Sequence, residues 1–195
     1  MSKYPKTIVL DTETTGLNPE EDELLQISII DRFGNLVLDT LVRPTHHTTW
    51  EDAMAINHIT PEMVADAPTL EELLPELRRI FDAAQCVIGY NTEFDLGFIR
   101  AAGIEYDHTD DSEVDVMWEF SDFFAEQQDL LYRHIYPADV IYWRECNRTH
   151  KLIECAAYLK YEWPDEAHNS LADARATLYC HDQMIMLSDK ASNIR

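Results

Sequence analysis

Two carboxylates stand two residues apart, directly after an apolar run, in the stretch VLDTETTGL from Val9 to Leu17. Side chains alternate along an extended chain, so Asp11 and Glu13 point the same way and repel each other. Two other stretches add acids. NTEFDLGF places Asp95 within the first turn or so of a helix opened by Asn91, and HNSLADARATL places His168 just before a helix and Asp173 in its first turn. Each has a plain reading: Asp95 as favourable charge at a helix N-terminus, worth ~0.3–1 kcal/mol, Asp173 as partner of Ser170 in a capping box, and His168 as a loop or core histidine. Together they supply three Asp, one Glu and one His at strand ends and helix starts, where α/β folds build sites. Four carboxylates in one cleft are tolerable only if divalent cations neutralise them, and hard oxygen ligands select Mg²⁺ or Mn²⁺ over zinc.

The pattern around these residues supplies the elements that must hold them. TIVLD, LLQISIID and NLVLDTLVR, within residues 7 to 43, read as three strands, with a turn at Phe33-Gly34-Asn35 between the last two. WEDAMAINHITPEMVADAP has no sustained period and reads as a loop with a short helix. Thr69 to Phe81 carries Leu70, Leu73, Leu74, Leu77 and Phe81 as a helical stripe, capped by Thr69-x-x-Glu72, with Pro75 expected to bend or shorten it. QCVIGY is a fourth strand and Asn91 to about Ala102 a helix. EVDV is a fifth strand entering a helix from Met117 to about Gln127, with Phe120, Phe123 and Phe124 at core spacing. Lys151 to Tyr161 is a helix with Leu152, Cys155, Ala156 and Leu159 on one face. Asn169 to about Leu187 is the last, with Leu171, Ala174, Leu178 and Ile185 inward. Strands first, then strands alternating with helices, predict one α/β domain with a mixed sheet.

The bulk properties bound the answer. The 195 residues, 46% hydrophobic, suit one domain with a sizeable core. No apolar run approaches the ~20 residues that span a bilayer, and the N-terminus lacks a signal-peptide cleavage site. Four scattered cysteines without C-x-x-C spacing fit reduced thiols in a cytoplasm. The formal net charge of -22 is not that of a chain coating itself on nucleic acid. Most of these acids read as a solvated face, and only those that converge read as cation ligands.

DTETTG, NTEFDLGF and HNSLADAR resemble, in order and spacing, the three motifs of the DEDDh 3′→5′ exonucleases, a family that includes polymerase III proofreading subunits and ribonuclease T. The likeness runs from about Thr7 to Leu187. AINHITPEMVADAPTLEELLPEL looks like the family's loop and helix after the third strand, although many members have His-Gly where this chain has Asn57-His58, and EVDVM resembles the strand after the second motif. The resemblance implies a ribonuclease H-like fold, a mixed five-stranded sheet flanked by helices, in a single exonuclease domain over 1–195 with its core at about 7–187. It implies two Mg²⁺ or Mn²⁺ ions, with Asp11 bridging them, Glu13 and Asp173 completing the first, Asp95 holding the second, and His168 as general base. Glu13 would meet the terminal 3′ hydroxyl, helped by backbone around Thr14 and Thr15. Leu17 would wedge against the last base, and Asn91 would join the substrate contacts. The chemistry agrees with the residue types. Two metals ~3.5–4 Å apart can activate water and hold the leaving oxygen of a phosphodiester. Histidine, with an unperturbed pKa of ~6.5, can take a proton near neutrality. Gly16 permits the close backbone approach that a nucleotide requires.

Substrate beyond the terminal nucleotide needs locally reversed charge. Arg133 to Lys151 is the chain's basic-aromatic cluster, and Arg144 and Arg148 are its candidate phosphate contacts, with Trp143 a stacking platform. Ordinary core aromatics beside solvated arginines are the alternative. The expected function is removal of nucleoside 5′-monophosphates from single-stranded 3′ ends, DNA ahead of RNA, without membrane association. The alternatives are a proofreading subunit bound to a polymerase, or a silent nucleic-acid-binding module on the same fold. The chain ends soon after its last helix, which favours a free-standing or phage-encoded enzyme over a polymerase-tethered one.

Overall fold

The computed structural model describes residues 3–106, 112–132, 148–164 and 169–192. Its centre is a strand with two different neighbours. β1 (Thr7–Thr14) pairs antiparallel with β2 (Leu24–Asp31), which pairs antiparallel with β3 (Leu36–Leu41). On its other edge β1 pairs in parallel with β4 (Cys86–Gly89), and β4 with β5 (Glu113–Asp115). The order is β3-β2-β1-β4-β5, a mixed five-stranded sheet. β1 is longer than the sequence stretch TIVLD, because pairing with β2 continues through the acids as far as Thr14.

Alternation along β1 builds two cores. Ile8 and Leu10 face α3 (Leu70–Ala83) and α4 (Thr92–Ala101), packing with Leu77, Ile80, Leu96 and Ile99. Val9 faces α5 (Val116–Tyr132), α6 (Leu152–Tyr158) and α7 (Ser170–Ser192), packing with Val116, Phe120, Cys155, Ala156 and Leu178. By the same alternation Asp11 and Glu13 continue the α7 face and Thr12 the α4 face. Between β3 and α3 lie two short helices, α1 (Glu51–Asn57) and α2 (Pro61–Val64), where the pattern suggested one. They cover Leu25 with Trp50, Ile59 and Val64.

Pro75 neither ends nor shortens α3, which runs on to Ala83 with its Thr69–Glu72 capping box formed. Proline removes the N–H that would bond the Glu71 carbonyl. Both residues are on the exposed face, where water can take that carbonyl, and burial of Leu77, Ile80 and Phe81 holds the helix beyond it. Ile185 is the second departure. It is 45% exposed, and Met184 is buried in its place. The buried stripe of α7 passes through Cys180, His181 and Met184 toward α5, where His181 Nδ1 lies 2.8 Å from a Glu119 carboxylate oxygen. Phe120 and Phe123 are buried and Phe124 packs against them.

The turn from β4 into α4 fixes where the second motif sits. Parallel pairing ends at Val9↔Ile88 and the strand stops at Gly89. Asn91 then takes a left-handed conformation (φ 65°) and α4 begins. A Cβ on Gly89 would lie 2.8 Å from Thr92 Oγ1 and 3.2 Å from its backbone Cα, so only glycine lets α4 close down on the strand end. Gly89→Ala should therefore lower stability by about 1–3 kcal/mol through overpacking. Urea denaturation measures this, and an unchanged midpoint would show that α4 is not seated so tightly.

Candidate active site

The three motifs meet where the sheet divides. Beyond Val9, β1 has left its parallel partner but still pairs with β2, so Asp11 stands opposite Ser28 and Glu13 opposite Gln26. Asp173 arrives from the first turn of α7. Asp11, Glu13 and Asp173 each offer an oxygen within 4.8 Å of the other two. Asp95, only 3% exposed, comes from the first turn of α4 and accepts a 2.6 Å hydrogen bond from Thr12 Oγ1. The β1–β2 register shifts between Glu13 and Thr14, a bulge beside the acids.

Packing decides between the plain and the chemical readings of the motifs. Ser170 does not cap α7. The Asn169 side chain does, accepting from the amides of Leu171 (3.2 Å) and Ala172 (3.3 Å). Ser170 lies inside the helix with its hydroxyl 2.6 Å from that of Ser28, and its amide donates to Gln26 Oε1 at 3.4 Å. Ser28 and Gln26 in turn donate to Asp39 Oδ1. This polar latch sets the start of α7 against β2, and Asp173 brings an oxygen within 4.8 Å of the acids of β1. Gln26 and Ser28 were not singled out from sequence, although they are the polar breaks on one face of LLQISIID.

The electrostatics are those of an uncompensated acid cluster. Burial holds the Asp11 carboxyl well above the ordinary range, with Asp95, Asp173 and Glu13 each adding repulsion. Glu13 is raised to about 8, first by burial and then by Asp173 and Asp95, against a stabilising hydrogen bond from Asn57. Asp95 is raised to about 7 by burial, opposed by the Thr12 hydrogen bonds. Such shifts mark groups held close against their own repulsion. The donor set is all carboxylate, which fits a hard divalent cation: Asp11, Glu13 and Asp173 can share one ion, and Asp95 lies beside Asp11.

A cavity of about 460 Å³ opens beside Glu13, lined by Thr14, Thr15, Gly16, Leu17, Ile56, Asn57 and Phe94 among others. Leu17, 84% exposed, and the exposed Ile56 form its rim. The Thr14 and Thr15 hydroxyls turn into their own loop, toward Gly16 O and Asp22, which leaves backbone as what that stretch offers to the cavity. Gly16 has a further reason to be glycine: a Cβ there would lie 2.4 Å from the Asp22 carboxylate oxygens. Asn57, buried at the end of α1, donates to Thr14 O at 3.3 Å and was not foreseen as a site residue. Asn91 is exposed, and its side chain makes no capping bond to α4. Arg148 is exposed and lies 3.5 Å from Glu154. His168, Trp143 and Arg144 lie outside the described residues.

The exonuclease family model RNase T matches residues 8–180. The chain is 33% identical over 176 residues to an uncharacterized exonuclease, CP81, of Escherichia phage 186, covering 88% of this chain and 84% of that protein. It is also 33% identical over 96 residues to the PolC-type DNA polymerase III of Thermotoga maritima, spanning 48% of this chain but 7% of the polymerase. Among solved structures it superposes on exonuclease X bound to 5′-overhanging duplex DNA with a TM-score of 0.61 at 22% identity, covering 94% and 93% of the two chains. For E. coli exonuclease I with a dA16 oligonucleotide the TM-score is 0.66 at 19% identity, covering 92% and 40%. The nuclease domain of 3′hExo, a DEDDh family member bound to rAMP, gives 0.56 at 15% identity, covering 97% and 95%. These likenesses show the fold, which is ribonuclease H-like.

The raised acid pKa values set the sign of a pH effect. A carboxyl that holds its proton more tightly when folded makes the unfolded state the first to deprotonate, so stability falls as pH rises. For Glu13 that window runs from the ordinary 4.5 to about 8. Metal-free protein should lose on the order of 2–5 kcal/mol through Glu13 across it, and Glu13→Gln should remove that part of the slope. Urea denaturation at pH 5, 6.5 and 8 with chelator checks this, and parallel pH profiles for parent and Glu13→Gln would contradict it.

Proposed function

We propose that this chain, which belongs to the RNase T family of DEDDh exonucleases, is a 3′→5′ exonuclease that releases nucleoside 5′-monophosphates from single-stranded ends, DNA ahead of RNA. The observation that carries the reading is the convergence of Asp11, Glu13 and Asp173, with Asp95 close enough to repel them, beside a cavity that Glu13 helps to line and that falls in the roughly 300–1,000 Å³ range of small-ligand sites. The chain works as one catalytic domain over 1–195.

Each residue has a task in that reading. Asp11, Glu13, Asp95 and Asp173 hold two Mg²⁺ or Mn²⁺ ions, which when bound neutralise the phosphate and supply an activated water. Glu13 also receives the terminal 3′ hydroxyl, and the backbone of Thr14 and Thr15 orients the nucleoside in the cavity. Leu17 presses on the last base from the rim, with Gly16 letting the loop come close. Asn91, exposed at the start of α4, supplies a polar contact to the substrate. His168, next to Asn169 at the head of α7, takes a proton from the attacking water. Arg144 and Arg148 hold phosphates further along the strand, with Trp143 as a stacking platform; over a screening length of ~8 Å these local charges outweigh distant acids. The match to PolC-type polymerases favours a second reading, in which the same activity proofreads beside a polymerase. The intact acids weigh against a silent binding module. No described helix is long and apolar enough to cross a membrane, in keeping with work in the cytoplasm.

Single strands of DNA and RNA labelled at either end test the reading directly. With Mn²⁺, the 3′ label should leave at once as a mononucleotide while the 5′ label yields a shortening ladder, and chelator should stop both. Asp11→Asn should reduce hydrolysis to background while the protein stays folded; activity within a few-fold of the parent would end the metal assignment.

His168→Ala should slow turnover ~10²–10⁴-fold, the usual span of general-base catalysis, with little change in Mn²⁺ binding. Turnover of His168→Ala equal to the parent's at both pH 6 and pH 8, with saturating substrate, would return His168 to an ordinary loop residue.

A further inference from the structure

Asp115, at the end of β5, is half-buried, which raises its carboxyl above the usual range, yet among the described residues it pairs with no side-chain cation and has no place among the clustered ligands. Its oxygens are occupied by backbone. Oδ1 accepts from the amides of Asn91 (2.9 Å) and Met117 (3.0 Å), and Oδ2 accepts from the amide of Thr92 (3.2 Å). One carboxylate therefore caps the N-termini of two helices, its own α5 and, across 24 residues of sequence, α4. Helix N-termini leave their first amides without partners inside the helix, and negative charge there is favourable. α4 needs this help, because Asn91 is left-handed and its own side chain makes no capping bond. Thr92 adds a second tie to the same strand, its hydroxyl donating to Val114 O at 2.9 Å.

We infer that Asp115 is a positioning residue for Asp95: by clamping the first turn of α4 to the end of β5, it sets where the Asp95 carboxylate meets the metal cleft. Asp95 stands three residues after Thr92, on the turn that Asp115 holds, and reaches across to Thr12 on β1. Without the clamp, among the described residues the first turn of α4 would keep one polar tie to β5, from Thr92 to Val114 O, and the apolar contacts of Leu96, Phe98 and Ile99, which fix the face of a helix better than its position along the axis. Asp115 lies outside the group of oxygens that could share an ion, and its own oxygens accept from amides. Its charge repels Asp95, but the amides at two helix ends offset that charge, so the positioning effect dominates. The inference rests on the reading of the cleft as a metal site.

The test is a double-mutant cycle read by Mn²⁺ titration calorimetry on the whole protein. Asp115→Ala should weaken the Mn²⁺ affinity that Asp95→Asn also weakens, by ~10–100-fold, the usual cost of removing a group that orients a ligand. The double variant should bind no more weakly than Asp95→Asn alone, because one residue acts through the other. Asp115→Asn, which keeps an oxygen for Asn91 and Met117, should recover part of the loss. Thr69→Ala, which unseats the distant cap of α3, serves as a variant destabilised without touching the cleft and should bind as the parent does. Additive losses in the double variant, parental affinity in Asp115→Ala, or equal weakening in Thr69→Ala would each overturn the inference. A parent that binds no Mn²⁺ would instead overturn the metal reading beneath it.

Discussion

Mutual repulsion among enclosed and half-buried carboxylates governs how this protein is built. Asp11, Glu13 and Asp173 lie within 4.8 Å of one another, and Asp95 is enclosed beside them. Left to local preferences, such groups would turn to solvent. They stay because the framework is determined elsewhere: Ile8, Val9 and Leu10 bury β1 on both faces before the first acid appears, and the strand carries its side chains on into the cleft without a choice of face. The cost of keeping the acids ionised there is what a divalent cation removes, so affinity for metal and strain without it have one origin.

The sheet's division makes the convergence possible. β1 pairs with β4 only as far as Val9, which leaves a gap on that edge while pairing with β2 continues. The opened edge admits α4 from one face of the sheet and α7 from the other, so Asp95 and Asp173 approach the acids of β1 from opposite sides. Each helix is set in place by polar ties, and not by apolar packing alone. Ser28, Gln26 and Asp39 hold the head of α7, while Asp115 and Val114 O hold the head of α4. Asn57 does the same for the cavity wall by joining α1 to the Thr14 backbone. Carboxylates fixed in this way lose little freedom when an ion arrives, which is what preorganisation requires.

Local signals in the sequence carried the elements and the acids themselves. LLQISIID is the strand β2 to the residue, and Thr69-x-x-Glu72 forms its capping box. What local signals could not carry were competitions settled by distant residues. Ser170 fits a capping box by spacing, but Asn169 takes the cap because Ser28, 142 residues away, takes the Ser170 hydroxyl. Pro75 reads as bending or shortening α3, yet the core beneath Leu77 and Phe81 outweighs one missing hydrogen bond and the helix runs on to Ala83. Ile185 has the right spacing for the core, but the stripe has turned toward α5 by that point. Asp115 offers only the local signal of a cap before α5; its hold on α4 lies in amides that follow a different strand.

If the four acids are ligands of divalent metal, crystals grown with Mn²⁺ and a nucleoside 5′-monophosphate will show it. Anomalous scattering at the manganese edge should place metal among the carboxylates of Asp11, Glu13 and Asp173 and beside Asp95, with the nucleoside in the cavity rimmed by Leu17 and Ile56. Manganese bound elsewhere while that cleft stays empty, at concentrations that support hydrolysis, would contradict it.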